Sequence, residues 1–401
     1  MSQKLVDRSP DLKRLRDEGF DVKIVLGKYL LIGSVPYVNR EKVIRLGTLV
    51  TELELEQNKT VKPNNHAVRF IGEVPCDVGG AALDNAIAPG SGREEFAPTI
   101  FTDMVLSCKP MPPAYLDCRY PDYYVKMTMY VNVLAAQAWT IDPTVDPKTF
   151  PVILPDQEDD SPFNYYDTAS SRAGLDTLNP KLTVPRIAVV GLGGTGSYVL
   201  DLVAKTPVKE IHLFDDDKFG QHNAFRCPGA LAIEELRPGM KKVEHYSGVY
   251  SRLRRGIVPH PYRITGENAD ELRGMDFVFL CLDSGEHKDA IMRTLEAVGI
   301  PFIDVGMGVH AVNNALTGIL RVTTSTPQKR DHVRGNQRVS FAPARGDNDY
   351  SRNIQVADLN ALNAVLAVVK WKKLCGFYHD LEREHHGTYI LETGRLARED
   401  Q

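Results

Sequence analysis

The sequence predicts an α/β protein: a doubly wound, Rossmann-like domain preceded by a smaller α+β domain. Three observations predict it. After Pro185, short runs of Val, Ile, Leu and Phe alternate with helix-favouring stretches, as the strands and crossovers of a parallel sheet do. A glycine-rich turn joins the first such run to the first such helix in "RIAVVGLGGTGSYVLDLV", residues 186–203. Before residue 155 the apolar runs are short and broken by Gly, Pro and Asn, the pattern of a different domain.

A chain of 401 residues is long enough for two cores. Its 43% hydrophobic and 25% charged residues are those of an ordinary globular protein, and a cytoplasmic location is expected. The net charge of −4 offers no basic face, so no nucleic-acid partner is expected. No apolar run approaches the roughly 20 residues that span a bilayer, so no membrane is expected either. The N-terminus "MSQKLVDRSPDLKRLRDEGF" is too polar for a secretory signal. Cys76, Cys108, Cys118, Cys227, Cys281 and Cys375 form no C-x-x-C pair, so neither zinc nor a disulfide framework is expected.

In the first domain, residues 1–155, "VKIVL", "YLLIGSV" and "AVRFIGEV" read as strands. "YYVKMTMYVNVLAAQAW", residues 123–139, ends in a helix-favouring, Ala-rich piece. No catalytic constellation is visible there, and docking of a partner protein is the expectation. Residues 156–182 are polar, acidic and rich in Ser, Asp and Pro, and read as a connector with a short helix. The second domain, residues 183–380, has strands at "RIAVVG", "EIHLFD", "DFVFLCL" and "PFIDVG". "RNIQVADLNALNAVLAVVKWKKLCGF", residues 352–377, reads as a long helix, apolar nearly all round and so buried in a core or a subunit interface. Residues 381–401 read as a tail.

Gly191, Gly193 and Gly196 form G-x-G-x-x-G, with Gly194 as an extra glycine. Such a turn lets a phosphate approach the backbone, and the following helix presents free N–H groups to it. Asp215 lies 19 residues after Gly196, at the end of the next strand, where a carboxylate can accept from ribose hydroxyls. So far NAD and ATP fit equally. The tie breaks in "LFDDDKFGQHNAFRCPG", which supplies Asp217, Asn223 and Arg226, and in "GMKKVEHY", which supplies Lys242. Clustered cations beyond the ribose carboxylate suit a triphosphate.

These residues carry a resemblance. Residues 186–308 resemble the adenylating domain of the ubiquitin-activating enzyme superfamily, the ThiF, HesA and MoeB type, which includes the bacterial activators of sulfur carriers for thiamin and molybdopterin synthesis. Five ordered elements match: "GLGGTG", "DDD" at 215–217, "NAFR" at 223–226, "GMKKVE" at 239–244 and "CLDS" at 281–284. The resemblance implies ATP and Mg²⁺ as cofactors. It gives Asp215 to the ribose, Asn223, Arg226 and Lys242 to the phosphates, and Asp283 to Mg²⁺ and the reacting centre. The family usually has Asn after that aspartate, where this chain has Ser284. Arg172 in "SSRAGL" stands where family members reach the partner subunit's ATP, so a homodimer is expected.

The implied reaction is attack of a carboxylate on the α-phosphate of ATP, giving an acyl-adenylate and pyrophosphate. The attacking group arrives ionised, so the protein need only hold two anions together and offset growing charge. The implied partners are a ubiquitin-like protein, whose C-terminus is activated, and a conjugating-enzyme homologue, as in a bacterial conjugation pathway. A small-molecule enzyme of the same fold, such as a tRNA-modifying cyclase or a peptide adenylator, is a second reading, and a nicotinamide oxidoreductase a third. Family members that form a thioester use a cysteine between the fourth strand and the long helix, and residues 305–352 contain none. Ser351, in "DNDYSRNIQVADLN", is therefore either a helix N-cap or an acceptor forming an oxygen ester, with Asp347, Asp349 and His332 as candidate bases.

Overall fold

The computed structural model describes residues 2–89, 92–110, 119–155, 160–282, 285–341 and 354–399. Two compact units form, Met1–Asp159 and Asp160–Gln401. Among the described residues no helix is long and apolar enough to cross a membrane.

In the first unit, α1 (Pro10–Asp17) begins with a proline that needs no N–H and buries Leu12 and Leu15. Five antiparallel strands follow in spatial order: β1 (Asp21–Val25), β2 (Tyr29–Val38), β3 (Ile44–Glu52), β4 (Val68–Ile71) and β5 (Met104–Leu106). α2 (Tyr123–Ile141) is capped by Asp122, which accepts from Val125 N at 2.8 Å. Its Met127, Tyr130, Val131 and Leu134 join Leu30, Ile32, Leu49 and Phe70 of the sheet in one core. Two polar groups are buried with their partners. Asp11 accepts from Thr60 Oγ1 at 2.6 Å and Tyr123 N at 3.0 Å, tying the starts of the two helices together. Lys126 donates to Thr51 Oγ1 and to the Asn65 carbonyl, and burial pulls its pKa down to about 8.

The second unit is built on one eight-stranded sheet. β6 (Arg186–Val190) pairs in parallel with β7 (Glu210–Phe214) on one side, and β8 (Ile257–His260) lies beyond β7. On the other side β6 pairs with β9 (Phe277–Leu280), followed by β10 (Phe302–Val312). These strands read as continuous apolar runs because both faces are covered. Ile187 and Val189 pack in one core and Ala188 and Val190 in another. α3 (Thr168–Arg172) precedes β6, α4 (Gly194–Ala204) follows it, α5 (Lys242–Tyr250) precedes β8, and α6 (Gly285–Val298) links β9 to β10. The strand order reverses at β6, so a crevice opens at its carboxyl end.

Three findings depart from the sequence reading. The sheet is not wholly parallel: β11 (Ala315–Ser325), β12 (His386–Ile390) and β13 (Arg395–Glu399) extend it as an antiparallel half. Residues 381–401, expected as a tail, thus supply two of its strands. Residues 160–182, expected as connector, belong to the second unit: the Arg255 amide donates to the Pro162 carbonyl at 2.7 Å, and Phe163 and Leu182 are buried. The long helix, α7 (Ala357–Leu374), is not apolar all round. Its buried side carries Asn360, Asn363 and Lys370, while Val365 and Val369 are 41% and 37% exposed.

Lys370 and Lys373 of α7 reach Asp380 at 2.9 and 3.3 Å, which holds the approach to β12 against the helix. Burial raises the Asp380 carboxyl, but the two ammonium groups outweigh it and hold it at about 2. A carboxyl depressed in the folded state stabilises above its ordinary value of 3.8, and that stabilisation is lost as the pH falls toward 2. Asp380→Asn is therefore expected to lower the thermal midpoint at pH 7 by several degrees. The gap to wild type should narrow as the pH falls below about 4. A gap unchanged between pH 7 and 3 in thermal melts excludes this pairing.

Candidate active site

The crevice at the end of β6 is a cleft of about 240 Å³. Its lining includes the apolar Val190, Phe214, Ile264 and Leu282 and the charged Asp215, Asp216, Asp217, Lys242 and Arg263. Phe214 is backed by His260, whose ring stacks on it at 4.1 Å. Such a mixed lining suits a ligand with both a planar base and a charged sugar phosphate.

The glycines have separate reasons. Gly191 takes φ +92°, and a Cβ there would lie 2.5 Å from the Cys281 carbonyl oxygen. A Cβ on Gly196 would collide with the Gly191 carbonyl, and one on Gly194 with the Asn360 amide. Gly193 differs: a Cβ there meets nothing within 4 Å, and the residue lines the cleft at the N-terminus of α4. Three glycines let the turn close; the fourth leaves open space beside the N-terminus of α4, whose free N–H groups suit an anion.

Asp215 is 8% exposed and uses both oxygens on the backbone. It accepts from Leu192 N at 2.7 Å and from Asp217 N at 2.9 Å. Burial pushes its carboxyl above the ordinary value, and Lys242 opposes that only in part. Lys242 is 4% exposed, not a solvated surface cation, and its ammonium lies 2.6 Å from Asp217 and 3.5 Å from Asp215. Burial also raises Asp217, but Lys242 outweighs it and the carboxyl titrates below the usual range.

Asn223 is buried, and its Oδ1 accepts from Gly220 N at 2.8 Å, so the oxygen end of this amide shapes the loop carrying Arg226. Neither Asn223 nor Arg226 is among the residues lining the cleft. Arg226 Nη1 donates to Gln355 at 2.8 Å. Arg172 is exposed at the end of α3. Asp283, Ser284, Ser351, Asp347 and Asp349 lie outside the described residues. His332 is buried, with Nε2 2.9 Å from the Thr324 carbonyl oxygen and Arg338 on its other nitrogen, so both ring positions are engaged in structure.

The carboxylate oxygens of Asp215, Asp216 and Asp217 come close enough together to share a cation. They do not fit Mg²⁺ as they stand: Asp215 and Asp217 share Lys242, and Asp216 accepts from Arg263 at 3.2 Å. The cleft also contains residues that the motifs do not name. Phe214, Ile264, Arg263 and His287 line it without belonging to any fixed spacing, and Leu282 lies within "CLDS" without a role of its own there. A hydrophobic residue closing the second and third strands is the only sequence signal for the apolar lining. Among the two cysteines near the motifs, Cys281 lines the cleft and Cys227 is buried in the core.

The fold and this cleft define a nucleotide-binding domain of the doubly wound class. Comparison with known proteins narrows it: the ThiF family model matches residues 170–374, just over half of the chain, and the chain belongs to that family. Residues 10–168 match a domain of unknown function, DUF6791. Ubiquitin-like modifier-activating enzyme 5 of Rattus norvegicus is 24% identical over 160 residues, covering 36% of this chain and 39% of the rat protein. Adenylyltransferase and sulfurtransferase UBA4 of Saccharomyces cerevisiae is 28% identical over 134 residues, covering 32% of this chain and 30% of the yeast protein. The chain thus spans about two fifths, or less, of these curated relatives. A crystal structure of E. coli MccB with MccA-N7isoASN superposes with a TM-score of 0.46 at 15% identity, over 58% of this chain and 69% of that one.

The glycine geometry gives a paired test. Gly193→Ala should fold with an unchanged thermal midpoint yet weaken ATP binding by tenfold or more, because its methyl enters only the anion's space (an estimate of about one hydrogen-bonding contact). Gly196→Ala should lose both stability and binding. Equal thermal losses in the two variants, measured by melting and calorimetry, exclude this division of roles.

Proposed function

We propose that the second unit adenylates the C-terminal carboxylate of a ubiquitin-like protein at the expense of ATP. The observation that carries the reading is the cleft's mixed lining within a ThiF-family domain. Apolar side chains, the carboxylate of Asp215 and the open helix N-terminus at Gly193 line one cleft. In this reading the base rests on Phe214 and Ile264, the ribose hydroxyls donate to Asp215, and the α4 N-terminus receives the phosphates with Lys242, Asn223 and Arg226. Positive groups placed before the reaction stabilise the charge that grows on the phosphate oxygens without reorganising. Asp283 would hold Mg²⁺, which offsets phosphate charge when bound. The incoming carboxylate needs no base, and an extended C-terminal tail is the form of substrate that reaches such a pocket.

Two further steps belong to the same proposal. A second copy of the chain would pair through α7, whose exposed Val365 and Val369 form an apolar stripe at helical spacing, and would bring Arg172 to its partner's ATP. The activated protein would then pass to a conjugating-enzyme homologue, with Ser351 carrying it in between as an oxygen ester and the first unit docking the acceptor.

ATP–pyrophosphate exchange that requires an added ubiquitin-like protein is the direct test, and exchange with a sulfur carrier, tRNA or short peptide in its place would redirect the reading. Arg226→Ala should lower exchange by about 10²-fold or more, as loss of a preorganised donor does. Asp283→Ala should abolish Mg²⁺-dependent turnover while sparing much of the nucleotide binding. Wild-type exchange in both variants ends the adenylation reading. Light scattering should give a dimer at micromolar concentration; a monomer removes the pairing and the role of Arg172 together. An adduct formed with ATP should survive thiols, yield to hydroxide and vanish in Ser351→Ala while exchange persists. If it persists in that variant, Ser351 is not the acceptor; nor is it the expected helix cap, because α7 begins at Ala357 with Val356 as its N-cap.

A further inference from the structure

The two cations assigned to the phosphates are held in opposite ways. Lys242 is paired with two carboxylates. Arg226 makes no ion pair among the described residues: Nη1 donates to the side-chain oxygen of Gln355 at 2.8 Å, and its buried Nε has no hydrogen-bond partner. A guanidinium carries a permanent charge and five donors in a fixed fork. An arginine anchored by a neutral amide keeps that charge undiminished. Gln355 precedes α7 by two residues, and the first turn of α7 repeats the device. There the fully buried Asn360 accepts from Thr195 Oγ1 at 3.0 Å, packs against Gly194, and leaves its Nδ2 without a partner. Neutral amides thus hold both the turn and its arginine.

We propose that Gln355 is a positioning residue of the phosphate site, whose amide fixes the Arg226 guanidinium without neutralising it and so reserves its full charge for an anionic phosphate. A carboxylate in the same place would hold the arginine more tightly, since a charge-assisted hydrogen bond is roughly twice as strong as a neutral one. It would also cancel the charge the phosphate needs. A better tether would make a worse site. If Gln355 served only the fold, the reverse order would hold.

The inference rests on the adenylation reading in taking the anion to be the triphosphate of ATP, so the test separates the two. Full-length wild type, Gln355→Glu and Gln355→Met are compared for binding of ATP, inorganic pyrophosphate and adenosine by calorimetry, with thermal melts alongside. Gln355→Glu should melt at or above the wild-type temperature, bind ATP and pyrophosphate about tenfold or more weakly, and bind adenosine normally. Gln355→Met, which removes the tether but leaves the charge, should fall between. Wild-type ATP and pyrophosphate affinity in Gln355→Glu overturns the proposal, as does a larger loss in Gln355→Met than in Gln355→Glu. If the Glu variant does not fold, unchanged pyrophosphate affinity in the Met variant overturns it. A wild-type chain that binds pyrophosphate but not ATP sinks the adenylation reading alone, and Gln355 is then judged on the pyrophosphate arm. Binding of neither sinks both.

Discussion

The cleft depends on one buried carboxylate. Asp215 closes β7, and its two oxygens accept backbone N–H groups from the glycine turn on one side and from its own loop on the other. Removing a carboxylate from water costs several kcal/mol. Two charge-assisted bonds of about 1.5–3 kcal/mol each, with Lys242 at 3.5 Å, offset that cost. They do not remove it, because the folded carboxyl still titrates above its ordinary value. The ionised group therefore lowers stability as the pH rises past its unfolded pKa, and the native state carries that cost at neutral pH. What it gains is geometry: the glycine turn is fixed to the carboxyl end of β7. For the same reason Asp215 cannot be read as a ribose ligand alone.

A second buried charge group steadies the other rim. Asp304 on β10 is fully buried between Lys288 of α6, at 2.8 Å, and the Arg321 guanidinium from β11. Arg321 crosses over Gly306, its direct partner in the antiparallel register, and a Cβ at 306 would occupy the guanidinium's space. Lys288 follows His287, which lines the cleft, so this network fixes the first turn of α6 against the sheet. Breaking one member of such a group strands a charge in low dielectric, which makes it rigid even where its net contribution to stability is small. Lys242 and Lys288 are thus held by carboxylates, and Arg226 by an amide.

What the sequence disclosed follows from what each contact leaves in it. Strands buried on both faces must be apolar along their whole length, so "RIAVVG", "EIHLFD", "DFVFLCL" and "PFIDVG" were legible. The glycine turn and Asp215 were legible because close backbone approach and a strand-end carboxylate need particular residues at fixed distances. β12 and β13, "HGTYI" and "RLARE", are the last two strands of the sheet, with β13 at its edge, where polar side chains are tolerated and nothing distinguishes a strand from a tail. The apolar lining of the cleft has no motif, since any large hydrophobic residue serves. Gln355 and Asn360 were out of reach for a different reason: they act across 129 and 165 residues of sequence, on Arg226 and Thr195. Polar residues in a helix that otherwise reads as core give no hint of their partners until the fold supplies them.

Those same residues explain why α7 sits where it does. Ala364 and Ala367 let the helix approach the sheet closely, and Trp371 packs its ring near Phe277 and Phe279 of β9. Apolar packing of this kind tolerates small slides along the helix axis. Amides do not. Asn360 meets Thr195 at the glycine turn, and Asn363, one turn on, donates to the Gly306 carbonyl at 3.1 Å where β10 leaves the parallel sheet. A shift of one residue would break both contacts and bury two unsatisfied amides, at about 1–3 kcal/mol each. The register of α7 is therefore set by its polar residues, while its hold on the sheet comes from its apolar ones. One helix consequently fixes the glycine turn against β10, the strand where the parallel and antiparallel halves meet. Movement of either must be taken up by α7 or resisted by it.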